Sequence, residues 1–295
     1  MFKGIYTPMI SIFNNDGGLD KESTSALIEK LISDGVDGIV ILGTIGEFYN
    51  LSHDEKKDYI KFVTETVAGR TKVIAGTSSN NIKEVIDLNK CAKDEGADAV
   101  LIVTPYYFSL NEQYVYEYYS TIAKNTELPI ILYNFPAKTA TNLSDELVFK
   151  LATEFENIAG IKDTTDSISN VRKFVEKIKK VRKDFSILSG FDEYLIPNLQ
   201  VGGDGIIGGL SNINAKLFID TYKAFIEEDF EKLSTLQKDI NKLMKLYDLA
   251  DPFIVAMKEA VGMTLNLEFN TSLRNYTIKV DETVKKRIMD TINLK

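Results

Sequence analysis

The chain has 295 residues, 44% hydrophobic and 26% charged, with a formal net charge of -8. That is enough apolar mass for one large core, with no basic footprint for nucleic acid or an anionic membrane. One cysteine and one histidine exclude a disulfide frame, a Cys/His zinc site and a Ser-His or Cys-His nucleophile pair.

Taken in order, short β-branched runs alternate with segments of helical spacing. A strand is predicted from Gly4 to Met9 and a helix from Lys21 to Ser33, stopped at Gly35. A strand from Gly38 to Leu42 precedes a helix from Asp54 to Val67, opened by Ser52 and Glu55 at capping-box spacing and closed near Gly69. His53 falls in the exposed first turn of that helix. The next strand, Lys72 to Gly76, leads to a helix from Ile82 to Glu95, which carries Cys91 as core filler and ends before Gly96. Strands follow at Ala99 to Thr104, Pro129 to Tyr133 and Ile158 to Lys162, the last with a helix from Ser169 to Lys180. Strands at Ser186 to Ser189 and Gly205 to Gly208 make eight βα units, which predicts an α/β fold of the (β/α)8 TIM-barrel type. Residues 1–225 are assigned to the barrel and 226–295 to a helical extension packed on it, with helices over Phe230 to Leu249 and Asp251 to Gly262. No apolar run approaches the roughly 18 residues that span a bilayer, and no cationic start precedes an apolar segment. A cytoplasmic protein with no membrane partner is expected.

One residue breaks the apolar pattern. Lys162 closes the run Asn157 to Asp163, where an ammonium group is costly. Two readings fit: a strand-end lysine whose head reaches solvent or Asp163, or an amine held in an apolar place as a nucleophile. In a parallel barrel, reactive groups gather where strands end. Those positions hold Thr44, Glu47, Thr77, Tyr106, Tyr107, Tyr133, Lys162, Thr164, Gly190, Asp192, Glu193 and Gly209. Lys162 supplies an amine, Tyr133 a phenol near it in strand order, and Thr44 a hydroxyl able to relay a proton. The turn Gly43, Thr44, Ile45 offers small residues and backbone N–H groups suited to a carboxylate. Such a set describes an enzyme that fixes a 2-keto acid.

Five segments carry a resemblance: GTIGE at Gly43 to Glu47, VTPYY at Val103 to Tyr107, YNFP at Tyr133 to Pro136, GIKDTTDS at Gly160 to Ser167, and SGFDE at Ser189 to Glu193. In order and spacing they resemble the pyruvate-dependent class I aldolases, a family that includes N-acetylneuraminate lyase, dihydrodipicolinate synthase and 2-keto-3-deoxy sugar-acid aldolases. The resemblance implies that Lys162 forms a Schiff base with pyruvate and that Tyr133 is the acid/base. It further implies a hydroxyl relay of Thr44 with a neighbouring subunit's Tyr107, a carboxylate site at Gly43 to Ile45, no separate cofactor and a homotetramer built from dimers.

Departures from the family pattern narrow the substrate. Ile45 stands where the synthase branch has a second threonine, and Lys138 where it has an arginine for the aldehyde's far carboxylate, so the bidentate fork is lost. Asp192 and Glu193, with Gly190, resemble the sugar-binding stretch of the lyase branch. Gly209 replaces a hydroxyl of that branch. The combination resembles the 2-keto-3-deoxygluconate-type aldolases, with Thr164, Asp192 and Glu193 expected to hold substrate hydroxyls. Dihydrodipicolinate synthase, N-acetylneuraminate lyase and an inactive ligand-binding relative are the alternatives. Gly203, Gly205 and Gly208 match a dinucleotide fingerprint by spacing but span a late strand, where close packing at the barrel mouth explains them better. Asp163 with Asp166, and Asp192 with Glu193, are read as caps of the helices after strands six and seven, with no metal.

Overall fold

The computed structural model describes residues 1–293. Eight parallel strands close into a barrel in sequence order: β1 Gly4–Pro8, β2 Gly38–Ile41, β3 Lys72–Gly76, β4 Ala99–Val103, β5 Ile130–Asn134, β6 Ile158–Asp163, β7 Ser186–Ser189 and β8 Gly205–Ile207. The TIM-barrel expectation therefore holds. Strand ends differ from the predicted ones by one residue at most, because a run such as Ala-Val-Leu-Ile-Val is buried along its whole length and fits only a strand covered on both faces.

Around the strands lie α1 Lys21–Asp34, α2 His53–Val67, α3 Ile82–Asp94, α4 Glu112–Lys124, the single turn α5 Pro136–Thr139, α6 Asp145–Glu154, α7 Ile168–Ile178, α8 Leu195–Gln200 and α9 Ser211–Ile226. The capping box that opens α2 is complete: the Ser52 hydroxyl accepts from Glu55 N–H, and the Glu55 carboxylate accepts from Ser52 N–H. Gly35 takes the left-handed conformation expected of a helix stop, whereas α2 ends on left-handed Ala68, one residue before Gly69.

Two local features set the geometry of the barrel, one at its mouth and one mainly at the opposite end. First, β6 carries one extra residue: Ile130 pairs with Ile158, but Ile131 pairs with Gly160, leaving Ala159 as a bulge. Without it, Tyr133 would stand opposite Ile161; with it, Tyr133 stands opposite Lys162. Second, the close approach expected of the late glycines falls mainly at the other end. Gly205 (φ +145°) pairs with Gly4 where β8 and β1 begin, and a Cβ there would collide with the Gly4 backbone. Of the three glycines only Gly208 packs at the mouth, against Asp192.

After α9 come α10 Phe230–Met244, a 3-10 turn at Lys245–Asp248, α11 Ile254–Leu265 and α12 Glu282–Ile292. Helix α10 packs along α9, and α11 packs on both α9 and the 3-10 turn. This places residues 244–253 over the carboxyl ends of the strands. Among the described residues no helix is long and apolar enough to cross a membrane.

Candidate active site

At the carboxyl ends of the strands lies a cavity of about 270 Å³. Its floor and chemical wall are Thr44, Tyr133, Lys162, Thr164 and Gly190; its other wall is apolar, made by Ile45, Phe135, Phe191, Met244 and Phe253. Lys162 is buried, and its Nζ stands 4.3 Å from the centroid of the Tyr133 ring, within cation–π distance. It forms no ion pair with a carboxylate among the described residues. Asp163, the alternative partner, is engaged elsewhere: it accepts from Asn134 Nδ2 (2.7 Å), Thr165 Oγ1 (2.6 Å) and Asn170 Nδ2 (3.2 Å). Burial still pushes its carboxyl above the ordinary range.

Tyr133 stacks on Phe135, with centroids 5.8 Å apart, and its hydroxyl shares a hydrogen bond of 3.3 Å with Thr44 Oγ1. Amine, phenol and hydroxyl thus form one row. Gly190 is glycine by necessity: a Cβ there would overlap Thr164 Oγ1 and stand 3.1 Å from Lys162 Cε. Thr164 Oγ1 itself is buried and has no hydrogen-bond partner, a costly state that a ligand oxygen in the pocket would relieve.

The turn after β2 is bracketed by two left-handed non-glycine residues, Leu42 (φ 55°) and Glu47 (φ 53°). Glu47 N–H donates to the Thr44 carbonyl at 3.1 Å, which folds Gly43 to Gly46 into a loop with Thr44 and Ile45 at the pocket and Gly43 buried behind them. Backbone strain of this kind persists only where surroundings enforce it. Here the enforcement comes from the Glu47 side chain, which is fully buried. Its carboxylate is paired with the buried Lys258 ammonium and accepts from Asn50 Nδ2 and Arg274 N–H, each at 3.0 Å. Lys258 also donates to the Ser272 carbonyl at 3.0 Å. Glu47, placed among the mouth residues by sequence, is therefore a clamp on the loop and faces away from the pocket. Thr77 is likewise buried and does not line the cavity.

Several expectations need correction. Asp192 does line the cavity, but most of its hydrogen-bonding capacity is already used within the protein. Its Oδ1 accepts from Leu210 N–H at 3.0 Å, and its Oδ2 accepts from Gly209 N–H at 3.1 Å and the Tyr247 hydroxyl at 2.7 Å. It ties down the chain leading into α9, so it does not cap the helix after β7 as expected. Burial raises its carboxyl to about 6, against the pull of these three donors. Burial, with Asp192 beside it, pushes the Tyr247 phenol well above its ordinary value. Glu193 lies outside the lining, and its carbonyl accepts from Gln237 Nε2. Lys138 is exposed on α5 and does not reach the cavity. Asp163 and Asp166 do not cap α7: Asp163 binds the three side chains named above, and Asp166 accepts from the Tyr194 hydroxyl. Tyr107 is 84% exposed, with φ 89°, and packs edge-on against Phe108 outside the pocket. No group of three or more His, Cys, Asp or Glu side chains is gathered as a metal site among the described residues.

Met244, Tyr247 and Phe253 were not foreseen as pocket residues. They belong to the extension, and nothing in the pattern of residues 244–253 distinguishes them from ordinary packing residues. Phe135 and Phe191 could have been found, since they sit inside the segments Tyr133 to Pro136 and Ser189 to Glu193.

A closed parallel barrel whose mouth joins a buried lysine to a tyrosine–threonine pair defines a barrel protein with an amine, a phenol and a hydroxyl gathered in one cavity. The comparisons with known proteins agree. The chain belongs to the dihydrodipicolinate synthetase family, whose description matches residues 1–295. It is 37% identical over 261 residues to the putative 2-dehydro-3-deoxy-D-gluconate aldolase YagE of Escherichia coli, covering 88% of this chain and 86% of that one. It is 39% identical over 245 residues to the 4-hydroxy-tetrahydrodipicolinate synthase of Methanocaldococcus jannaschii, covering 83% of each. The crystal structure of YagE in complex with pyruvate superposes with a TM-score of 0.95 at 34% identity, over 100% of both chains.

Proposed function

We propose that this chain is a Schiff-base aldolase that reversibly cleaves a 2-keto-3-deoxy sugar acid into pyruvate and an aldehyde. The observation that carries the reading is the row of groups at the mouth: a buried amine without an ion-pair partner, 4.3 Å from the ring of a tyrosine whose hydroxyl meets Thr44. Lys162 attacks the C2 ketone and water leaves, giving a protonated imine. Tyr133 takes the proton of the C4 hydroxyl while the C3–C4 bond breaks, its electrons passing to the imine nitrogen. The aldehyde departs, the enamine is protonated at C3, and water releases pyruvate and returns the amine. The Gly43 to Ile45 loop receives the substrate carboxylate, and Thr44 with a neighbour's Tyr107 completes the relay. The exposure of Tyr107 and Phe108 supports that exchange, and with it an oligomer such as a tetramer.

The sugar-acid branch is favoured over the synthase because Lys162 is the only cation lining the cavity among the described residues. An aldehyde with its own carboxylate would find no partner there. The test is intact mass after borohydride reduction with pyruvate, followed by turnover with glyceraldehyde, glycolaldehyde, aspartate semialdehyde and N-acetylmannosamine. An adduct on Lys162, absent in Lys162→Ala, with turnover of the hydroxyaldehydes is expected. Turnover of aspartate semialdehyde alone would make the protein a synthase, and absence of an adduct would refute Schiff-base chemistry.

A further inference from the structure

We infer that Tyr247 is a specificity-determining residue, one that reserves the pocket for aldehydes of two or three carbons and turns away tetroses and longer sugars. The inference rests on the aldolase reading above and carries it to the aldehyde half of the substrate.

A polyhydroxylated chain needs a partner for each hydroxyl that it buries. Beyond Lys162 the wall offers mostly hydrocarbon: Ile45, Phe135, Phe191, Met244 and Phe253. On that side Asp192 Oδ2 is taken by Gly209 N–H and the Tyr247 hydroxyl, and Oδ1 is engaged by Leu210 N–H, so the three donors leave about one of its four acceptor sites. Tyr247 spends its one proton on Asp192 and so has none to give a substrate.

Position 209 explains how the phenol comes to sit there. A Cβ built on Gly209 would lie 2.6 Å from the Tyr247 oxygen, inside contact distance. Gly209 and Tyr247 are therefore a matched pair: the glycine leaves a gap, and the phenol enters it and covers Asp192 Oδ2. Thr164 Oγ1, buried and unpartnered, remains for a substrate oxygen, which suits a short chain with one or two hydroxyls.

The experiment is steady-state condensation of pyruvate with glycolaldehyde and with erythrose, in the full-length protein and in Tyr247→Phe, Gly209→Ser and the double variant. The unaltered protein is expected to favour glycolaldehyde. Tyr247→Phe opens one acceptor position on Asp192 and should raise the erythrose-to-glycolaldehyde ratio of kcat/KM about tenfold. Gly209→Ser alone should lose turnover of both aldehydes, and the double variant should regain it, because the phenol oxygen it collides with is gone. An unchanged ratio in Tyr247→Phe, or a natural preference for erythrose, overturns the inference. If the unaltered protein still forms the borohydride adduct on Lys162, only the role of Tyr247 falls; if it forms none, the aldolase reading falls as well.

Discussion

Lys258→Met tests whether the buried clamp behind the carboxylate loop holds as the geometry implies. Both partners of the Glu47–Lys258 pair are fully buried, so the substitution leaves a carboxylate without its counter-charge in a place water does not reach. Removing one member of a buried ion pair costs about 3 to 5 kcal/mol. Glu47 keeps two neutral donors, Asn50 and Arg274 N–H, which places the cost at the lower end, about 3 kcal/mol. Losing the bond from Lys258 to the Ser272 carbonyl adds about 1 kcal/mol. The expected loss of about 4 kcal/mol is read by urea unfolding followed by circular dichroism. Adding Glu47→Gln removes the stranded charge, and the double variant should recover about 2 kcal/mol of that loss. With the loop released, the KM for pyruvate should rise in the single variant. A cost under about 1 kcal/mol, or a double variant no more stable than the single one, would refute the argument.

Asp192→Asn probes a second buried charge. Its folded value of about 6 exceeds the ordinary 3.8, so the native state holds the proton more tightly than the unfolded chain. That contribution is complete below the unfolded value and disappears as pH rises through about 6, so the stability of the natural protein relative to Asp192→Asn should fall by at most about 3 kcal/mol over that window. Parallel unfolding curves from acid to neutral pH would contradict it. Gly190→Ala should slow adduct formation with pyruvate, because its methyl crowds Thr164 and Lys162; an unaffected trapping rate would mean the pocket yields there. Tyr133→Phe should lower kcat by roughly 10² to 10⁴ while still trapping pyruvate, and a near-normal rate would remove its acid/base role. Ser52→Ala breaks the capping box of α2 and should cost about 1 kcal/mol in urea unfolding, with kcat unchanged.

What the sequence revealed follows from which forces are local. Strand runs such as Ile130–Asn134 are buried throughout, so their β-branched composition marks them without help from the rest of the chain. Lys162 stood out because a charge in such a run is expensive, and Tyr133 because adjacent strands end side by side. The bulge at Ala159, which sets those two opposite each other, left no local signal. Asp192 was read as a sugar ligand because a carboxylate at a barrel mouth suits either backbone donors or substrate hydroxyls, and only the path of the chain past Gly209 decides between them. The part Glu47 plays was not legible for a similar reason, since its partner Lys258 lies 211 positions away. Helix α12 was legible in principle, since Val284, Ile288 and Ile292 recur at four-residue spacing along it, although only Ile288 is fully buried.

The distance between Glu47 and its partners also orders events during synthesis. When the ribosome has delivered the eighth strand, Lys162, Tyr133 and Thr44 already exist, yet the residues that hold the loop after β2 in its left-handed bends, Lys258 and Arg274, have still to emerge. The wall made by Met244, Tyr247 and Phe253 arrives late as well. A chain ended between Ile207 and Lys258 carries Lys162, Tyr133 and Thr44 but lacks both Lys258 and Arg274, which hold the Glu47 side chain, so the bends of the loop after β2 are set only after the barrel strands exist.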